Sequence, residues 1–316
     1  MQRAAHLKAV NMDARITVII CTYNRSRGLR RTLESLEEMS VPLQITWELI
    51  VVDNNSTDET RDVVEEFRTK ETLPVRYVFE PKQGLSHARN AGVSAASGNI
   101  LAFTDDDCVV APDWLNAIRR EFESDAGLAG IGGRVELYNP NDAPVTIRPF
   151  RERIPFESPS QLFNMIVGCN MAFKREVFDK TGVFDPSFGS GTRMVADDVD
   201  FVYRAFRAGF KLVFTPAPLV YHHHGRQTDA QIWPLSKGYL NGRGGFYCKH
   251  ILSGDRDILR IAYWEINALI KTMSREIFAG KLALKELSCL WNLLVGTIHR
   301  LREEIRPRTR RQKSLD

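Results

Sequence analysis

Residues 16–53, ITVIICTYNRSRGLRRTLESLEEMSVPLQITWELIVVD, decide the fold. The apolar run ITVIIC is followed by a helix-like stretch, SRGLRRTLESLEEM, and then by a second apolar run, WELIVVD. Strands alternating with helical segments of this length predict βαβ units and hence a parallel sheet. The alternation continues downstream: DETRDVVEEFRTK reads as a helix, VRYVFE as a strand, LSHARNAGVSAAS as a helix and NILAFT as a strand. The strands are nearly continuous in Val, Ile and Leu, as expected when helices cover both faces of the sheet.

The residues after each strand carry the chemistry. TYNR follows the first, NNSTD the second and DDDC the fourth. Ligands of such sheets bind beyond the carboxyl ends of the strands, so one cleft is expected to collect these polar groups. Asp105, Asp106 and Asp107 directly follow an apolar strand. Like charges so close raise one another's pKa unless a cation neutralises them, and hard oxygen ligands suit Mg2+ or Mn2+. An isolated acidic pair would read as a cap or turn; three carboxylates after a buried strand favour metal.

A second acidic group, Asp197, Asp198 and Asp200, opens a helix-like stretch, DDVDFVYRAFRAG. Capping accounts for one of them, and a carboxylate at a cleft rim suits a general base for an acceptor hydroxyl. The run HHH at 222–224 offers an imidazole to a metal or a phosphate, although a histidine at a strand end also serves as ordinary packing. In QGLSHARNAG, Arg89 sits on a helix entered through glycine, placed to reach a phosphate or an aspartate of the cleft. No GxGxxG follows the first strand and no GxxxxGK[ST] occurs, which excludes the usual dinucleotide enzymes and P-loop NTPases.

Composition sets the remaining bounds. The chain has 316 residues, 43% hydrophobic and 26% charged, as for a globular protein with a large core. Its net charge of +4 is local to the basic run from Arg300 to Lys313, whose natural partner is anionic lipid, and does not predict nucleic-acid binding. Five scattered cysteines, without CxxC spacing, suggest neither a disulfide framework nor a zinc site and point to the reducing cytosol. The opening residues MQRAAHLKAVNMDAR lack the apolar stretch of a signal peptide, and no window approaches the apolar length of a membrane span. A cytoplasmic protein, peripheral at the inner face of a membrane if attached at all, is the expectation.

Residues 134–159, rich in Pro, Asn and Arg, read as irregular chain or antiparallel excursions over the cleft. Residues 226–305 change to helical periodicity, as in ILRIAYWEINALIKTMSREIF and LKELSCLWNLLVGTIHRL. Their mixed apolar and basic content fits a surface resting on a membrane, or helices packed on the rest of the chain or on a second copy as a homodimer. The expected organisation is an extension over 1–14, a catalytic domain over 15–225 and a helical region with a basic tail over 226–316.

In order, VIICTYNR, VVDNNSTD, QGLSHARNAG, FTDDDC, GCNMAFKR and ADDVDF resemble the motifs of glycosyltransferase family 2 over roughly residues 15–225. The resemblance implies the GT-A fold: α/β, with a mainly parallel twisted sheet flanked by helices, here with a helical extension after it. It also implies roles. Thr22, Tyr23 and Asn24 would contact the nucleotide, Asp53 and Asn54 its base, Asp105 or Asp106 its ribose, and Arg89 the donor side of the cleft. Asp107 would hold the metal, with Asp105, His222 and His224 as further candidate ligands. Asp198 would be the base, while Asp197, in place of the usual Glu, would position the acceptor, and Gly168 and Asn170 would lie on the acceptor side.

The mechanism so implied is a single in-line displacement with inversion, moving a sugar from a nucleotide diphosphate to a glycan or lipid-linked acceptor. The segments 134–159 and 185–195 are candidate lids, with Gly189 and Gly191 permitting motion. Many relatives that use uridine donors read DDGS where this chain has Asp53-Asn54-Asn55-Ser56, so UDP, dTDP and GDP donors all stay open. The QxxRW motif of processive synthases is missing, which favours transfer of one sugar. Nucleotide-sugar pyrophosphorylases would need a glycine-rich basic signature, and glycoside hydrolases need no nucleotide loop. A catalytically silent scaffold of a polysaccharide assembly complex is the competing reading outside enzymology.

Overall fold

A computed structural model describes residues 15–305. The extension 1–14 and the greater part of the basic run, from 306 onward, lie outside the described residues. The first half of the chain forms β1 (Arg15–Thr22), α1 (Ser26–Glu37), β2 (Thr46–Asp53), α2 (Thr60–Lys70), β3 (Val75–Phe79), α3 (Leu85–Ala95) and β4 (Ile100–Asp105). It continues through β5 (Cys108–Val110), α4 (Trp114–Ser124), β6 (Leu128–Leu137), β7 (Ile154–Pro155), β8 (Asn170–Lys174), α5 (Arg175–Thr181), α6 (Asp197–Arg207) and β9 (Lys211–His222). Three long helices follow: α7 (Asp229–Leu252), α8 (Arg256–Phe278) and α9 (Leu284–Ile305).

The strands lie in the order β3-β2-β1-β4-β8-β6-β9-β5, with the short β7 paired to β9. From β3 to β4 every pairing is parallel, as the strand–helix alternation predicts. Beyond β4 the sheet is mixed. β8 runs antiparallel to both β4 and β6, while β6 and β9 are parallel. The cause is the connection: β8 is entered from the irregular excursion after β6 and not from a crossover helix, so nothing imposes a common direction.

Alternation along β1 sends Ile16, Val18 and Ile20 to one face of the sheet and Ile19 to the other. The first face is covered by Leu29, Leu33 and Leu36 of α1, Phe67 of α2 and Trp114 and Phe122 of α4. The helical spacing of the three leucines makes one apolar stripe, and each fully buried side chain of this kind contributes about 1.5–3 kcal/mol. The second face is covered by Val93 of α3, Phe178 of α5 and Phe201 of α6, together with Phe246 of α7.

Thus α7 shares the core of the sheet, whereas α8 buries only Ile258 and Ala262. α7 and α9 approach closely at two glycines: a Cβ on Gly244 would collide with the main-chain oxygen of Leu293, and one on Gly296 with that of Asn241. Among the described residues no helix is long and apolar enough to cross a membrane.

Candidate active site

Register builds the site. In the parallel pairings Thr22 lies level with Asp53 and Cys21 level with Asp105, so three strands deliver their polar followers to one edge. A cleft of about 270 Å³ opens there, walled on one side by Thr22, Tyr23, Asn54 and the three consecutive aspartates. The opposite wall is Gly84, Leu85, Ser190 and Gly191. Ser190 and Gly191 belong to the loop read as a lid. It is tied across the cleft by Leu85 N donating to Ser190 O at 2.9 Å and Ser86 Oγ to Phe188 O at 2.8 Å.

Several residues assigned to the nucleotide act on the shape of this cleft. Asn24, at φ 51°, accepts from Thr57 N at 2.7 Å and donates its own N–H to Ser56 Oγ at 2.9 Å, which locks the loop after β2. Asp53 stands behind that loop: its carboxylate accepts from Ser56 N at 2.9 Å and from Tyr77 Oη at 2.7 Å. Asn54 lines the cleft, and its amide organises the far wall. Nδ2 donates to the carbonyls of Glu80 and Lys82 at 3.1 and 2.7 Å, and Oδ1 accepts from Gly84 N at 2.8 Å.

At the floor of the cleft, Arg25 reaches Asp107 at 2.9 Å and Asp106 at 3.5 Å. The sequence shows Arg25 only as the last residue of TYNR, three positions past the end of β1, and that place was the available signal. Burial pushes Asp106 up to about 7, against the pull of Arg25. His222 Nε2 lies 3.3 Å from Asp107 Oδ1. Burial disfavours the His222 cation, but the hydrogen bond and charge of Asp107 outweigh it and raise the imidazole to about 9. Asp107 is correspondingly held near 2 despite its burial, by His222 and Arg25.

These residues fit a divalent cation. Ligand atoms of Asp107, Cys108 and His222 lie within 4.8 Å of one another, and buried His222 Nδ1 and Thr22 Oγ1 have no hydrogen-bond partner among the described residues. The Asp107 carboxylate suits Mn2+ or Mg2+, and the His222 imidazole would join it as a ligand only on losing its proton, a role that Mn2+ accepts more readily than Mg2+. Cys108 is set apart from that pair, because a hydrogen bond to Cys169 and burial keep its thiol far above the ordinary range. His224 does not join the pair either: Nε2 donates to Ala143 O at 3.1 Å and Nδ1 accepts from Arg226 N at 3.0 Å, so both ring nitrogens are engaged.

Arg89 links the two acidic motifs. Buried against the Phe184 ring, it pairs with Asp197 and reaches Asp105 at 3.6 Å. Of the two partners that the sequence offered for it, phosphate or aspartate, the structure places the aspartates. Burial raises Asp197 to about 6 against the pull of Arg89. Asp198 points the other way. Its carboxylate accepts from Gly168 N and Val199 N, both at 2.8 Å, and lines a second pocket of about 300 Å³ with Ile166, Val167, Tyr239 and Arg243. Tyr239 and Arg243 come from α7, which sequence reasoning gave no part in the site. Gly168 has no room for a Cβ beside the Arg89 guanidinium. Asn170 lies in neither pocket: it accepts from Trp114 Nε1 at 3.0 Å and donates to the carbonyls of Arg134 and Pro218 at 2.8 and 3.0 Å, bracing the sheet.

Comparison with known proteins agrees with this geometry. The family model described as glycosyl transferase family 2 matches residues 17–182, and that of glycosyl transferase family group 2 matches residues 100–291. The succinoglycan biosynthesis protein ExoM of Rhizobium meliloti is 28% identical over 236 residues, 74% of each chain. Glycosyltransferase AglE of Haloferax volcanii is 31% identical over 201 residues, 63% of this chain and 64% of its own. Among solved structures, the mannosyltransferase PcManGT of Pyrobaculum calidifontis, in complex with GDP-Man and Mn2+, superposes with a TM-score of 0.60 at 21% identity, covering 92% of this chain and 88% of its own. S. aureus TarS 1–349 with UDP-GlcNAc gives 0.57 at 17%, covering 74% and 65%. A mixed sheet with helices on both faces, acidic residues at the carboxyl ends of its parallel strands and a family match over more than half its length show that the chain has the GT-A fold and is a glycosyltransferase belonging to family 2.

Proposed function

We propose that the protein moves one sugar from a nucleotide diphosphate to an acceptor hydroxyl with inversion, in the assembly of a cell-surface polysaccharide or glycolipid. The observation that carries this reading is the pair of pockets on either side of the Asp105–Arg89–Asp197 chain, with Asp107 in the first and Asp198 in the second. The first takes the donor and the second the acceptor. The names of ExoM, for succinoglycan biosynthesis, and of a glucosyl-dolichyl phosphate glucuronosyltransferase of Haloferax volcanii, 27% identical over 262 residues, support a glycan or lipid-linked acceptor. UDP-GlcNAc in TarS and GDP-Man in PcManGT support a nucleotide-sugar donor without choosing the base.

Asp107 and His222 would hold the cation, Mn2+ or Mg2+, which when bound offsets the charge of the diphosphate leaving group. The residues of the chain do the rest. Tyr23 and Thr22 receive the nucleotide on the wall that Asn24, Asp53 and Asn54 hold in shape. Asp105 faces the ribose and sugar, held in place by Arg89. Asp198 takes the acceptor proton as the acceptor oxygen attacks the anomeric carbon and the bond to the diphosphate breaks. Asp197 keeps Arg89 and the first turn of α6 in register with it. The loop 185–195, with Gly189 and Gly191 both at positive φ, closes the donor cleft against water, while 134–159 borders the second pocket through Val145, Thr146 and Arg148.

Calorimetry against UDP, dTDP, GDP and their sugars, with and without Mn2+, tests the reading on the intact chain and on Asp107→Ala. Metal-dependent binding of one nucleotide, lost in the variant, supports it and identifies the donor class. Binding that ignores both metal and Asp107, or no binding, leaves the silent scaffold as the better account.

A further inference from the structure

We propose that α8, α9 and the turn between them form a docking surface for an anionic lipid bilayer. The observation is a face without a partner. Along α8, Leu259, Tyr263, Ile266, Ile270 and Ile277 recur at spacings of three, four and seven, and every one is exposed. Along α9, Leu284, Leu287, Trp291, Leu294 and Ile298 repeat the pattern and are exposed as well. Such a stripe is normally the buried side of a helix. Here the buried sides are elsewhere: α8 faces the molecule through Ile258 and Ala262, and α9 through Leu293 and Gly296.

The turn joining the helices presents Phe278 at 92% and Leu282 at 82% exposure, with Lys281 between them. These are the largest exposures of any apolar side chains near the turn, and nothing in the sheet domain approaches them except Leu43.

The charge pattern selects lipid. On a helical projection of α8, Arg256, Arg260, Lys271 and Arg275 fall together along one flank of its stripe, where Trp264 is also exposed. Residues 306–316, RPRTRRQKSLD, follow α9 directly with five basic side chains and one acid. Apolar side chains beside a basic flank, with Trp and Tyr at the border, suit the boundary between acyl chains and anionic headgroups. A second copy of the chain would cover the stripes but would bring another basic segment against the first. Since no described helix can cross a bilayer, the contact is one of lying on the surface. The surface is separate from both pockets, so this inference stands or falls independently of the donor and acceptor assignments.

The test is co-sedimentation of the full chain with phosphatidylcholine vesicles, with and without roughly 30% phosphatidylglycerol. Anionic vesicles should bind the chain at least about tenfold more strongly than neutral ones, with binding weakened by salt. Trp emission should shift to the blue on binding. The variant Trp264→Ser/Phe278→Ser/Trp291→Ser and the variant Arg310→Glu/Arg311→Glu should each lose about tenfold or more while keeping the nucleotide affinity of the parent, which shows them folded. Equal or absent binding to the two vesicle types overturns the proposal. So does a dimer in sedimentation velocity that the triple variant converts to monomer, because the face then belongs to a second copy.

Discussion

His222 Nε2 stands 3.3 Å from Asp107 Oδ1, although 115 positions of sequence separate the two residues. The pairing of β5 with β9 brings them together, since Cys108 is directly opposite His222 in that ladder. The imidazole therefore reaches the acidic motif by sheet register and not by loop folding, which gives it little freedom to move away.

This rigidity sets the first expectation. His222→Gln should weaken Mn2+-dependent nucleotide binding by about 10–100-fold, and Asp107→Ala should abolish it. His224→Gln should leave metal dependence intact and lower stability instead, because both its ring nitrogens hydrogen-bond to backbone. Calorimetric titration of nucleotide at several Mn2+ concentrations, with thermal melts of each variant, separates the two histidines.

Asp197 and Asp198 of α6 should respond differently. Asp198→Asn keeps its shape beside Gly168 N and should lower kcat by about 10²–10⁴-fold with donor affinity unchanged. Asp197→Asn strips the buried Arg89 of its nearest carboxylate and should cost about 3–5 kcal/mol of stability. Turnover and denaturant unfolding measured on both variants distinguish base from brace; equal turnover in Asp198→Asn would remove it from the chemistry.

Asn54→Asp makes the second motif resemble that of many relatives, yet here it should be harmful. Nδ2 donates to two carbonyls, of Glu80 and Lys82, and a carboxylate oxygen in its place would face both without a proton. The loss of these bonds should cost about 1–3 kcal/mol and loosen the wall at Gly84. Nucleotide affinity should fall even for a uridine donor, and an unchanged dissociation constant would count against the bracing role.

Asp185 ties the lid loop to the helices: it pairs with Lys249 of α7 at 2.8 Å and Arg300 of α9 at 2.9 Å. Burial opposes its charge, but Lys249 and the Ser187 hydrogen bonds hold it near 2, below the ordinary 3.8. A depressed carboxylate contributes stability that is fully present above its unfolded pKa and is lost as pH falls through its folded one. The parent should therefore exceed Asp185→Asn by about 2 kcal/mol at neutral pH, with the gap closing between roughly pH 4 and 2. Urea unfolding of both proteins across that window checks the sign; a gap that widens on acidification would refute the pairing.

Much of this protein was legible in its sequence because the relevant information is local. The strands β1, β2 and β4 are apolar runs whose burial follows from composition, and TYNR, NNSTD and DDDC sit where a parallel sheet opens to ligands. Chain order alone therefore led to the α/β sheet and to residues that line the first cleft. What it left open depended on which hydrogen bonds close over long separations. Asp53, Asn54 and Asn170 look equally available as polar residues in a motif, and only packing shows that each has partners inside the molecule. The antiparallel entry of β8 and the approach of His222, and not His224, to Asp107 rest on β-ladder register, which local preference does not encode. The part of α7 in the second pocket likewise follows from its docking on the core through Phe246. Local sequence determined which chemical groups were present; tertiary structure decided how each of them is held, because the partners that orient a side chain come from segments distant in the chain.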